Sequence, residues 1–150
     1  MLIETLKTIF NRDLRRLRNE IGLYKSEERI WHTEKGIANS AGNLCLHLVG
    51  NLNTYIGGVI GNTGYIRQRE LEFSLKDIPR SELIRKIDDT MVVVDNALSG
   101  LTERNLHLEY PILVFSEKTS TEYMLVHLAT HLTYHLGQVN YHRRLLDDEG

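Results

Sequence analysis

Near the start of the chain, apolar residues recur at spacings of three and four: Leu2, Ile3, Leu6, Ile9, Phe10, Leu14, Leu17, Ile21 and Tyr24, with Arg12, Arg15, Arg16 and Glu20 between them. That spacing gathers the apolar set on one stripe and predicts a long amphipathic helix. The pattern breaks over residues 26–36, which carry the only tryptophan, Trp31, and are expected to form a connection packed down on the core. A second helix starts near Asn39 or Ser40, either of which can cap it, and its apolar positions Leu44, Leu48, Leu52, Tyr55 and Ile56 lead to Gly57 and Gly58, where it ends. Residues 57–77 then read as a long glycine-opened loop holding Arg67, Arg69 and Glu70, and loops of that length are commonly functional.

Asp77 as cap and Pro79 in the first turn open a third helix along Leu83, Ile84, Ile87, Met91, Val94 and Leu98, which Gly100 terminates. Residues 101–116 are expected to be non-helical, as an extended crossover or a short strand pair. Thr119 and Glu122 have the spacing of a capping box and open a fourth helix running to about Leu146, with Met124, Leu125, Leu128, Leu132, Leu136 and Val139 on its apolar side. The expectation is an all-α chain, one domain over residues 1–150, built as a four-helix bundle with long loops between helices two and three and between three and four.

Charge changes this picture in two places. No Lys, Arg, Asp or Glu occurs from Gly36 to Ile66 or from Tyr123 to His142. Such runs mark segments withdrawn from water. Neither is membrane-like, because the first is diluted by Asn, Ser and Gly and the second carries four histidines, whereas a spanning helix wants about twenty predominantly apolar residues. Both are expected to be buried helices, with no membrane as partner. Over the whole chain, 18 Lys plus Arg against 20 Asp plus Glu leave a formal charge of -2, without the cationic surplus that nucleic acid requires. One cysteine, Cys45, excludes an intramolecular disulfide or a thiolate zinc cluster, and the first residues lack a basic and then apolar leader pattern, so a cytoplasmic protein is expected.

The chemistry concentrates in histidine. His127, His131 and His135 are spaced four apart, which sets neighbouring rings on one helix face with Cβ atoms about 5–6 Å apart. Two such rings can chelate a first-row divalent cation, and His47, in the other charge-free helix, can supply the third imidazole. A lone histidine on an apolar face is ordinarily a hydrogen-bonded core residue. A series in a charge-free helix would bury several rings with few visible partners, and a metal ion relieves that. Cys45 points about 200° away from His47 on the helix and reads as a small buried hydrophobe. His142 is placed near the bundle end, and His32 and His107 in connections.

Three neutral imidazoles leave an ion with its full charge and an open position, the pattern of a catalytic site. Neither charge-free helix supplies an Asp or Glu as general base, which disfavours protease-like hydrolysis and favours activation of a thiol. Asn51, one turn after His47, and Gln138, three residues after His135, are candidates to orient ligands or substrate, or else to cap helices and bridge them. Tyr55 and Tyr134 line a pocket or belong to the core. Arg12, Arg67 and Arg69 anchor an anionic substrate or lie solvated at the surface.

The His-x3-His-x-Gly-Gln ending formed by His131, His135, Gly137 and Gln138, preceded by His47 in the second helix, resembles the signature of the DinB/YfiT-like superfamily of four-helix metalloproteins, and is most similar to a branch of unassigned function. The resemblance implies a metal site of His47, His131 and His135 holding zinc or nickel, with His127 as the rival ligand, and a homodimer. Many relatives have Arg where Leu136 stands. Some are transferases that use low-molecular-weight thiols such as bacillithiol or mycothiol, and one is a thiol-dependent isomerase. By that likeness the chain is a metal-dependent thiol S-transferase or a hydrolase of a small molecule. The competing expectations are a non-catalytic metal-binding or dimeric interaction module of stress-response type, and histidines that only hydrogen-bond within the core.

Overall fold

The computed structural model describes residues 1–147 and is all-helical, with no strand among them. Four longer helices share one core: α1 (Leu2–Leu23), α2 (Ala41–Leu52), α4 (Arg80–Ser99) and α6 (Thr121–Leu146). Two short ones, α3 (Arg69–Ser74) and α5 (Glu103–Leu106), interrupt the connections. α4 and α6 each pack against both α1 and α2, so α1 and α2 face one another diagonally across the core. Ile3, Leu6, Phe10, Leu14, Leu17 and Ile21 of α1 are buried, as the three-and-four spacing requires.

α2 is enclosed on nearly every side: all of its residues except Val49 are buried. Ser40 caps it by accepting a hydrogen bond from the Asn43 backbone N–H. A 3₁₀ turn over Glu27–Trp31 lays Ile30 and Trp31 into the core, as expected for that connection. Trp31 reaches α2 only because Gly42 has no side chain; a Cβ there would lie 2.6 Å from the indole ring. After Leu52 the chain widens into a π-helical turn over Asn53–Gly58, tied by the Tyr110 hydroxyl donating to the Tyr55 carbonyl at 2.6 Å.

Four expectations are corrected. Residues 57–77 are not one loop, because α3 folds within them and turns Glu72 inward. α4 opens at Arg80 with Pro79 at the cap position, while Asp77 adopts a left-handed conformation (φ 59°) and caps nothing. Residues 101–116 contain the helical turn α5, closed by a reciprocal capping box between Thr102 and Asn105, and an isolated bridge between Glu109 and Ser120 takes the place of a strand pair. The cap of α6 is Ser120, which accepts from the Tyr123 N–H, because the Thr119 carbonyl is already engaged by the Tyr110 N–H at 2.8 Å.

The charge-free stretches also part company. The first is withdrawn from water along α2, but α6 leaves Tyr123, Val126, Tyr134 and Tyr141 exposed along one face. Where α6 meets α1, charge does enter the interface. Buried Asp13 accepts from Arg12 and from the Thr133 hydroxyl, and Glu20 accepts from Asn140 and Arg143. Among the described residues, no helix is long and apolar enough to cross a membrane.

Candidate metal centre

α2 and α6 lie side by side, and that contact brings together three of the histidines singled out by spacing. His47, His131 and His135 each offer a ring nitrogen, and these atoms all lie within 4.8 Å of one another. The Nε2 atoms of His47 and His131 are 3.3 Å apart, and those of His135 and His131 are 3.2 Å apart. Zinc bonded to imidazole nitrogens at 2.0–2.1 Å in tetrahedral geometry needs them about 3.3–3.4 Å apart.

The outer ring nitrogens explain why the inner ones converge. His47 Nδ1 donates to Glu72 Oε1 at 3.1 Å, and His135 Nδ1 donates to Gln138 Oε1 at 2.6 Å. In a neutral imidazole a proton on Nδ1 leaves a lone pair on Nε2. A proton on His131 Nε2 can serve only one of its two neighbours, so at least one of these contacts sets lone pair against lone pair. His131 Nδ1 is buried without a partner. The donor set therefore fits a divalent cation better than it fits a closed network of hydrogen bonds.

The electrostatics agree with that fit. Burial pushes His131 down to about 4, helped by the neighbouring His135, His47 and His127 rings and by Arg67. His47 is also lowered, by burial first, with Glu72 opposing and His135 and Arg67 adding to the drop. Both rings are neutral near pH 7, as metal ligation requires.

Glu72 is the residue that the sequence pattern did not disclose. The histidine stripes contain no carboxylate, yet α3 delivers one to the back of His47. Arg67 grips it with both arms of its guanidinium, Nε to Oε2 and Nη2 to Oε1, each at 2.9 Å. Glu72 thus fixes the His47 tautomer and is itself neutralised. The carboxyl sits over the backbone of α2 at Gly50, where a Cβ would come within 2.6 Å of Glu72 Cδ. Asn43 anchors the same helix by donating to the carbonyls of Glu72 and Leu75, both at 2.9 Å.

The remaining candidates are dispersed. His127 lies one turn along α6, with its ring centroid 6.3 Å from that of His131 and its ring perpendicular to that of Phe115, and it is not one of the converging three. Asn51, Tyr55, Arg67, Arg69 and His127 line a cavity of about 210 Å³ that also touches His47 and His131. Tyr134, His135, Gln138, Tyr141 and His142 line a second, of about 470 Å³. Burial raises the Cys45 thiol to about 12, and it packs as a small hydrophobe. Arg12 is committed to Asp13 on α1. His142 accepts from the Tyr24 hydroxyl and donates to the His32 carbonyl, binding the end of α6 to the first connection. His32 pairs with Glu34, and His107 ends α5.

A model of the family described as Protein of unknown function (DUF1572) matches residues 3–150. No curated protein matches the chain.

Proposed function

The chain belongs to the DUF1572 family, and we propose that this member is a divalent-metal-dependent enzyme acting on a small molecule, with His47, His131 and His135 as ligands. The observation that carries the reading is the convergence of three Nε2 atoms, two pairs of them 3.2–3.3 Å apart, with outer nitrogens held by Glu72 and Gln138. The helix arrangement and the His-x3-His-x-Gly-Gln ending support a place among the DinB/YfiT-like metalloproteins. Zinc or nickel suits three imidazoles.

Such an ion, when bound, supplies a charge that acidifies a thiol or a water molecule. This chain's own residues do the rest. Glu72 and Gln138 hold two imidazoles in the ligating tautomer, and α3 with Phe73, 5.1 Å from the His47 ring, shields one side of the cluster. The two adjoining cavities give a small molecule room to approach. Among the described residues neither is lined by an Asp or Glu, and Glu72 is occupied by Arg67, so none of them offers a free carboxylate as a general base. That favours a low-molecular-weight thiol as the activated group, in a transferase, over hydrolysis.

A homodimer is proposed as well, and a specific feature favours it. Tyr123, Val126, Tyr134, Tyr141 and Leu145 form an exposed, largely apolar stripe on α6, at about 100° per residue all on one side, with the Arg144 guanidinium stacked on Tyr141 at 5.1 Å. The non-catalytic alternative needs a fourth protein ligand to close the site, and among the described residues no fourth His, Cys or carboxylate joins the three. The test is cobalt loading followed by addition of a small thiol such as cysteamine. A sulfur-to-cobalt charge-transfer band that His131→Ala abolishes is expected. Stoichiometric cobalt with no such band overturns the thiol chemistry.

A further inference from the structure

Among the described residues, three buried side-chain polar atoms have no hydrogen-bond partner: Asn51 Oδ1, His131 Nδ1 and Arg80 Nε. Arg80 Nε stands 3.9 Å from Glu27 Oε1, and its guanidinium binds the Gly22 and Tyr24 carbonyls where α4 starts. The other two lie beside the three histidines, one on α2 and one on α6. Buried polar atoms in native proteins are almost always paired, so two orphans at one site need a cause. Solvent reaches neither atom, so neither water nor a ligand in the adjoining cavity can serve them. The partner has to be a protein group.

Chemistry makes the two atoms complementary. An amide oxygen is an acceptor only, and a neutral imidazole that ligates through Nε2 carries its proton on Nδ1 and is a donor there. Helix direction makes them neighbours. One cavity is lined by Leu44 together with His135 and Gln138, the other by Asn51 together with Leu128 and His131, so α2 and α6 run antiparallel. Asn51, one turn beyond His47, therefore comes level with His131 on the side away from His135. The outer nitrogen of His47 is held by Glu72 and that of His135 by Gln138, and His131 is the ligand left without such a partner.

We propose that Asn51 is the positioning residue for His131, its Oδ1 accepting the Nδ1 proton in the metal-loaded protein. The assignment rests on His47, His131 and His135 being the ligands, and it is independent of the thiol chemistry. Ligating histidines ordinarily give their other N–H to an oxygen that fixes tautomer and ring orientation. A bond between the two orphans satisfies both at once and ties the His131 ring to α2, the helix that carries His47.

The test compares wild type, Asn51→Leu and Asn51→Asp, with zinc as the probe. Zinc affinity is measured by competition with a chromophoric chelator, and the His131 ring nitrogens are followed by NMR of zinc-saturated protein carrying ¹⁵N-histidine. In the wild type His131 is expected to be protonated on Nδ1, with that proton shifted downfield. Asn51→Leu, close to isosteric, weakens zinc about 10–100-fold and moves the proton upfield. It leaves the urea midpoint of the zinc-free protein equal to or above that of the wild type, since it deletes an acceptor that had no partner. Asn51→Asp keeps an acceptor, and its zinc affinity stays at or above that of the wild type. A merely structural asparagine would instead lower the midpoint in the leucine variant, and aspartate would not restore zinc affinity.

Unchanged zinc affinity in Asn51→Leu, equal weakening in both variants, or a His131 ring protonated on Nε2 in the zinc form would each overturn the proposal while leaving the metal site standing. A wild type that takes up neither zinc nor nickel refutes the metal reading itself, and the proposal falls with it.

Discussion

Replacing Gly50 by alanine sets two effects of opposite sign against each other. In the interior of a helix, glycine costs about 0.5–1 kcal/mol relative to alanine, so the exchange by itself stabilises α2. At this position the new Cβ lies 2.6 Å from Glu72 Cδ and closer still to a carboxylate oxygen, so the carboxyl must leave. Its departure strands Arg67 and removes the acceptor from His47 Nδ1. Removing one partner of a buried ion pair costs about 3–5 kcal/mol. The difference predicts a net loss of about 2–4 kcal/mol, read as a lowered urea midpoint of the metal-free protein. Zinc affinity, measured by competition with a chromophoric chelator, falls by about 10–100-fold because His47 is no longer oriented. The double variant Gly50→Ala, Glu72→Ala should be no less stable than Glu72→Ala alone, since the clash is gone. A Gly50→Ala protein as stable as wild type with unchanged zinc affinity would refute the orienting role of Glu72.

Gly42→Ala forces the Trp31 ring off α2 and is expected to lower stability by about 1–3 kcal/mol, with a change in tryptophan fluorescence; an unchanged spectrum and melting temperature would count against that packing. Burial would raise the Asp13 carboxyl, but hydrogen bonds from Arg12 and Thr133 and the charges of Arg12 and Arg16 hold it below its ordinary value. Its stabilising contribution is therefore present above the ordinary carboxylate range and lost as pH falls through the folded value. Asp13→Asn should be destabilising at pH 7, by a deficit that shrinks as pH falls below the ordinary carboxylate range, and a deficit that stays constant with falling pH would contradict this. Histidines 47, 131 and 142 are lowered from their ordinary value, chiefly by burial. Metal-free protein should thus lose stability as pH drops from about 6.5 toward 4, a fall that His131→Leu makes shallower; a flat profile in urea titrations would argue against these rings being neutral in the fold.

The long helices and the histidine set were legible because each leaves a long-range mark on the sequence. α1 repeats its apolar positions over many residues, and His131 and His135 announce themselves by a spacing of four within a charge-free run. What escaped is short. α3 buries only Glu72, so it has no apolar stripe to detect, and its role depends on Arg67 and Gly50, which only the folded chain brings to it. α5 is a single turn held by Thr102 and Asn105. The start of α4 was misplaced because Asp77 and Pro79 have the right composition for a cap, while the backbone at Asp77 turns left-handed. Absence of charge proved an incomplete guide to burial: α2 is enclosed on nearly all sides, whereas α6 keeps tyrosines on an open face.

The central claim is that three imidazoles hold one ion, and zinc titration with elemental analysis of tag-free protein tests it most directly. Wild type, His131→Ala and a His47→Ala, His135→Ala double variant are compared, with helical content followed by circular dichroism. One zinc or nickel per chain in the wild type, lost in both variants while the helical signal persists, is the predicted result. A chain that takes up no divalent metal, or variants that keep it at unchanged affinity, would contradict the account.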